Sequence, residues 1–244
     1  MIVIVGETHD DILYFDSVLA NKREEFILNR YKCSIGTIFS LDVIVVHELY
    51  TSVLSSAILT ILLDKYYVDL VFVVGKCLSN SRGVKNGDIA VSKRVIDANV
   101  DLSIFNDVSV GQIPGFDRDF NVQDDIYEYL TKGLDKRASI DYHRATFLSS
   151  CNLSYDMVQI LQEKGSVFAI GEEAIVIDKN SAGVAVACSL KHVPFIIAKV
   201  IENKIDSKSN LESYSLVLKK YIDLGKAIVA TINEIGRSDI LEGE

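Results

Sequence analysis

Three apolar strands in this 244-residue chain run directly into residues that can hold or move charge. Residues 2–5 (IVIV) lead to the acidic pair Asp10 and Asp11. Residues 69–75 (DLVFVVG) lead to Lys76, and residues 195–201 (FIIAKVI) lead to Glu202 and Asn203. A second lysine, Lys179, precedes Asn180 at the start of an expected helix. Asp11 could act as a general base, or it could simply favour a helix start through the helix dipole. Asn180 could hold a polar ligand, or cap its helix, as asparagine does well. Lys76 and Lys179, if turned inward, would suit an anionic ligand. They could instead pair with Asp11, Asp178 or Glu202 and fill the space, or lay their stems along the surface with the charge in water.

Other chemistries lack their signatures. The four histidines are isolated in sequence and form no His-Glu-x-x-His pattern, so no metal is expected. His9 and His192 are expected at the surface. The four cysteines, Cys33, Cys77, Cys151 and Cys188, include no Cys-x-x-Cys pair, which suits a reducing cytoplasm. Cys77 and Cys188 read as small core residues. The net charge of −9 and the absence of a long basic run argue against a nucleic-acid partner.

The sequence is 49% hydrophobic, with a mean hydropathy of +0.23. Its strongest apolar runs, residues 53–63 and 68–75, are separated by Asp64 and Lys65. They fall short of the roughly 18 uninterrupted apolar residues a membrane span needs. Strands buried on both faces give the same hydropathy, so no membrane partner is expected. The N-terminus lacks the basic region of a signal peptide.

The elements that must position these residues alternate along the chain. Helices are expected at residues 8–19, 51–65, 122–134, 155–164, 180–191 and 211–235, the last with apolar residues repeating at three and four. Strands are expected at 2–5, 69–75, 88–95 and 195–201. Residues 26–46 read as two or three antiparallel strands, with Gly36 and Asp42 as turn candidates. This pattern implies a single α/β domain over residues 1–236, a central mixed sheet with helices on both sides, and a frayed acidic tail at 237–244. Ligands of such sheets sit at the carboxyl ends of strands.

Four blocks carry a family resemblance in the same order. They are Gly6-Glu7-Thr8-His9-Asp10-Asp11, residues 69–92 (DLVFVVGKCLSNSRGVKNGDIAVS), Gly111-Gln112-Ile113-Pro114-Gly115, and residues 174–203 (AIVIDKNSAGVAVACSLKHVPFIIAKVIEN). Together they resemble the nucleoside phosphorylase superfamily over nearly the whole chain. The nearest pattern is that of the 5′-methylthioadenosine/S-adenosylhomocysteine nucleosidases.

That resemblance implies a nucleoside phosphorylase-like fold, a purine nucleoside ligand, no cofactor, and a homodimer in which an inter-subunit loop closes each site. N-ribosyl hydrolysis needs a carboxylate to activate water, an acid to protonate the leaving base, and an acceptor for the ribose hydroxyls. The resemblance puts these roles on Asp11, Asn203 and Asn180 respectively. It puts Lys179 where the family stacks a methionine on the ribose, and retains Phe105 in the inter-subunit loop. An amide at Asn203 can donate a hydrogen bond but cannot hand over a proton, and positioned proton transfer is worth roughly 10²–10⁴ in rate. Glu202 could replace it, although strand alternation would turn adjacent residues to opposite faces. The family's glycine loop becomes Gly75-Lys76-Cys77-Leu78, and its Ser-Gly-Ile-Gly turn becomes Glu48-Leu49-Tyr50-Thr51. Weakened hydrolysis, an inactive binding homologue, and an enzyme for an anionic ligand at Lys76 and Lys179 all remain open at this stage.

Overall fold

A computed structural model describes residues 1–79, 81–102, 104, 109–137, 139–152, 173–202 and 211–237. Among them, ten strands form one mixed sheet: β1 (Ile2–Val5), β2 (Ala20–Ile27), β3 (Tyr31–Ile38), β4 (Leu41–Val46), β5 (Leu70–Cys77), β6 (Ile89–Asp97), β7 (Phe120–Asn121), β8 (Tyr142–Ser149), β9 (Ala174–Asp178) and β10 (Phe195–Ile201). Five helices cover it: α1 (His9–Val18), α2 (Ser52–Lys65), α3 (Asp124–Asp135), α4 (Ser181–Lys191) and α5 (Leu211–Ile235). The strand order is β2-β3-β4-β1-β5-β10-β6-β8-β9, with β7 paired to β6. Helix α4 packs on α2, while α1 and α3 pack on α5, so the sheet is sandwiched between helical layers.

Central strands β1, β5 and β10 are parallel to one another and almost wholly buried, which is why they read as continuous apolar runs. The sheet also curls. Leu78, just past β5, exchanges both backbone hydrogen bonds with Ile177 of β9 (2.9 and 2.8 Å). This contact brings the carboxyl ends of β5 and β9 together although three strands, β10, β6 and β8, separate them along the sheet.

Residues 26–46 do belong to antiparallel strands, but the two turn candidates fall elsewhere. Gly36 lies inside β3 opposite Val43, and Asp42 lies in β4 opposite Thr37. The reversals fall at residues 28–30 and 39–40, where Leu28, Asn29 and Phe39 take left-handed φ values of 51°, 54° and 53°. Gly36 is required for close approach instead, since a Cβ there would stand 2.4 Å from the carbonyl oxygen of Ala20. Strands β7, β8 and β9 lie outside the segments the periodicity picked out. Residues 155–164 and 238–244, expected as a helix and a tail, lie outside the described residues, and no described helix is long and apolar enough to cross a membrane.

Candidate functional site

The ends of β5, β9 and β10 enclose a cavity of about 270 Å³ lined by Lys76, Leu78, Asp178, Lys179, Glu202 and their neighbours. The Glu202 amide donates to the carbonyl of Cys77 (2.8 Å), tying the end of β10 to that of β5. Pocket and strand ends therefore coincide where an open α/β sheet places its ligand.

Beneath the pocket lies a fully buried charge cluster. Lys199 is the single charged residue in the apolar run of β10, and its side chain has no solvent exposure. Its ammonium donates to Glu7 Oε1 at 2.8 Å, Asp178 Oδ2 at 2.6 Å and Asn180 Oδ1 at 2.5 Å. An ammonium has three donors, and all three are used. Burial alone would lower the Lys199 pKa, but Asp178 and Glu7 more than reverse that and hold it above the usual lysine value. Glu7 is equally buried. Its burial would raise its pKa, yet Lys199 and Lys179 hold the carboxyl below the usual carboxylate range. Ser181 donates to the same Asp178 oxygen that Lys199 holds.

Two carboxylate oxygens of this cluster accept no hydrogen bond, Glu7 Oε2 and Asp178 Oδ1, although both are buried. Lys179 Nζ stands 3.1 Å from Glu7 Oε2 as an ion pair, outside hydrogen-bond alignment. The same ammonium lies 5.8 Å above the Tyr50 ring.

Asp11 is the third residue of α1. Its Oδ2 accepts the backbone N–H of Thr8 (2.7 Å), the N-cap donor that the helix start would otherwise leave unpaired, and that of Glu7 just before it (2.9 Å). Burial, then the charge of Glu7, raises its pKa against those hydrogen bonds. Tyr221 of α5 stands among Asp11, Glu202 and Glu7. Burial, these charges and a hydrogen bond to Asp11 push its phenol up. Gly75 floors this corner, for a Cβ there would lie 3.5 Å from both Asp11 Oδ2 and Glu7 Cγ.

The structure thus brings Asp11, Asn180, Lys179, Lys76 and Glu202 to one end of the sheet, with Asn203 and Phe105 outside the described residues. Asp11 stands at a helix start as foreseen, but its carboxylate serves that start directly. Asn180 occupies the N-cap position of α4 without a side-chain cap hydrogen bond. Its amide is spent elsewhere, accepting from Lys199 and donating to the Leu49 carbonyl at 2.9 Å. Lys76 pairs with Glu202 at 3.4 Å, one of the partners its position suggested, whereas Lys179 pairs with Glu7. Strand alternation would turn Glu202 away from this corner. Because β10 ends at Ile201, alternation stops there and Glu202 lines the pocket.

Lys199, Glu7 and Tyr221 are site residues that the sequence pattern did not single out, and Asp178 figures in that pattern only as a partner for Lys76 or Lys179. Only Lys199 carried a visible signal, since a charge inside a buried strand requires buried partners. Cys77 and Cys188 are core residues with thiols pushed up by burial, and His9 and His192 are exposed. Among the described residues no group of three or more His, Cys, Asp or Glu side chains could hold a metal ion.

With this sheet order and a pocket at these strand ends, the chain belongs to the Phosphorylase superfamily, which it matches over residues 2–233. Among its relatives is a 5′-methylthioadenosine/S-adenosylhomocysteine nucleosidase of Buchnera aphidicola subsp. Acyrthosiphon pisum (strain APS). The two are 28% identical over 206 residues, covering 81% of this chain and 85% of the relative. The fold is likewise similar to that of the nucleosidase of the same name from Neisseria meningitidis, solved in complex with methylthio-immucillin-A. That comparison gives a TM-score of 0.84 at 14% identity, covering 96% of this chain and 98% of the other. A putative nucleosidase from Borrelia burgdorferi, bound to adenine, gives 0.82 at 19% identity over 96% and 100% of the chains.

Proposed function

We propose that this protein binds a purine nucleoside of the methylthioadenosine or adenosylhomocysteine kind in the pocket between β5, β9 and β10, and hydrolyses its N-ribosyl bond slowly. The observation that carries this reading is the pocket itself, walled by carboxylates at the strand ends where an α/β sheet places ligands. Asp11 is the water-activating candidate. A buried carboxyl with a raised pKa suits a general base, but two backbone donors already hold one of its oxygens. Glu202 lines the pocket and is the candidate proton donor to the leaving base, although Lys76 already engages its carboxyl at 3.4 Å. Slow turnover follows from both constraints.

A second reading is a binding homologue without turnover, favoured by the commitment of the Asp11 carboxylate to the start of α1. Incubation with methylthioadenosine and adenosylhomocysteine, with free adenine followed by chromatography, separates the two. Slow adenine release that Asp11→Ala abolishes supports hydrolysis. A thermal shift without release supports the binding homologue, and neither release nor shift overturns both.

An anionic ligand has less support, because Lys76 and Lys179 each face a carboxylate already. The protein acts as a homodimer in the cytoplasm in this reading. Exposed Val53 and Tyr50 at the α2 end, beside a shallow depression shared with α4, suit a partner subunit there. A sedimentation mass of one chain at micromolar concentration would overturn the dimer.

A further inference from the structure

We infer that Glu7 and Asp178 read the vicinal hydroxyls of the bound sugar, and that Lys179 covers Glu7 until the ligand displaces it. This deepens the nucleoside reading of the same pocket and rests on it. Lys199 grips one oxygen of each carboxylate, Glu7 Oε1 and Asp178 Oδ2, which leaves Asp178 Oδ1 with no donor and Glu7 Oε2 with only the Lys179 ion pair at 3.1 Å. Native structures rarely leave buried polar atoms unpaired, so two together beside one pocket call for donors from outside the chain. Asp178 lines that pocket, and Lys179, which stands over Glu7, lines it too.

Charge decides what kind of donor fits. Glu7 and Asp178 contribute two negative charges, and Lys199 and Lys179 two positive ones, so the cluster needs neither a cation nor an anion. It lacks hydrogen-bond donors only, and a neutral molecule with two adjacent hydroxyls supplies them. Asn180, the position to which the family resemblance assigns the ribose, already commits its amide oxygen to Lys199 and its amide nitrogen to the Leu49 carbonyl. Lys179 can leave Glu7 readily. It is partly exposed, it is not aligned with Oε2, and the Tyr50 ring offers its ammonium a second position.

Calorimetric titration with adenosine, 2′,3′-dideoxyadenosine and adenine tests the inference. The native protein is expected to prefer adenosine over the dideoxy analogue by about tenfold or more, the scale of a hydrogen bond to a charged acceptor. Glu7→Gln and Asp178→Asn should each erase most of that preference and leave adenine affinity unchanged, which a general loss of structure would not do. Lys179→Met removes the cover from Glu7 but keeps the Lys199 contacts to Glu7 and Asp178, and should tighten adenosine several-fold without tightening adenine. Adenosine binding with the hydroxyl preference intact in both carboxylate variants overturns the inference while sparing the nucleoside reading. If no purine binds, the purine reading falls, and uridine against 2′,3′-dideoxyuridine tests the hydroxyls instead. A Glu7-dependent preference for uridine then upholds the inference; equal or absent binding of that pair overturns it.

Discussion

Two strands of this sheet each bury a cation between two carboxylates, and the two arrangements end differently. In β6, Arg94 is 3% exposed and contacts Asp119 at 3.0 Å and Glu173 at 3.0 Å. Every oxygen of those carboxylates has a donor. Arg118 reaches both oxygens of Asp119, Arg144 takes Glu173 Oε1 at 2.9 Å, and Thr146 takes Oε2 at 2.6 Å. In β10, Lys199 likewise has two carboxylate partners, Glu7 and Asp178, plus Asn180, yet Asp178 Oδ1 has no donor and Glu7 Oε2 has only the Lys179 ion pair. The first network is complete and does what a buried ion pair can do for packing. The second is completed only from outside the chain, and it lies under a pocket. Burial and charge alone do not mark a site; the unfilled acceptors beside a cavity do.

The largest effect should come from removing the cation of the incomplete network. Lys199→Met leaves Glu7 and Asp178 buried without their shared partner, and a loss of about 3–5 kcal/mol is expected in denaturant unfolding. Arg94→Met should cost less, about 1–3 kcal/mol, because Arg118, Arg144 and Thr146 still serve its carboxylates. Equal losses in the two variants would dissolve the distinction.

The smallest effect is in acid. The Glu7 carboxyl is held below its ordinary value of 4.5, so its contribution is present above pH 4.5 and is lost as pH falls through its folded-state value. Glu173 is lowered for the same reason, burial opposed and outweighed by Thr146, Arg144 and Arg94, and has the same sign. Asp11, raised by burial, has the opposite sign. Stability should therefore decline below pH 4.5, and Glu7→Gln should flatten part of that decline while the part due to Glu173 persists. An unchanged acid slope in Glu7→Gln would mean that Lys199 and Lys179 do not hold Glu7 ionised.

Much of the fold was legible because strands buried on both faces announce themselves. The runs that became β1, β5 and β10 are apolar throughout, apart from Lys76 and Lys199. Strand β8 was not legible, since it opens with Tyr142, His143 and exposed Arg144 and is fully buried only from Ala145 onward. The turns at 28–30 and 39–40 were hidden because Leu28 and Phe39, which no turn rule favours, take the left-handed conformation there. The place of the site was legible from strand ends and motif order. Its wiring was not: Lys199 reaches Glu7 across 192 positions of sequence. Asn180 kept its expected position but not its expected role, because a buried ammonium drew its side chain inward.

The most direct measurement is a crystal structure of the protein with adenosine. The ribose hydroxyls should lie within hydrogen-bond distance of Glu7 Oε2 and Asp178 Oδ1, with Lys179 swung off Glu7 and Lys199 unmoved. Adenosine bound with Lys179 still on Glu7 and its ribose away from both carboxylates would contradict that wiring; adenosine bound outside this pocket would contradict the site itself.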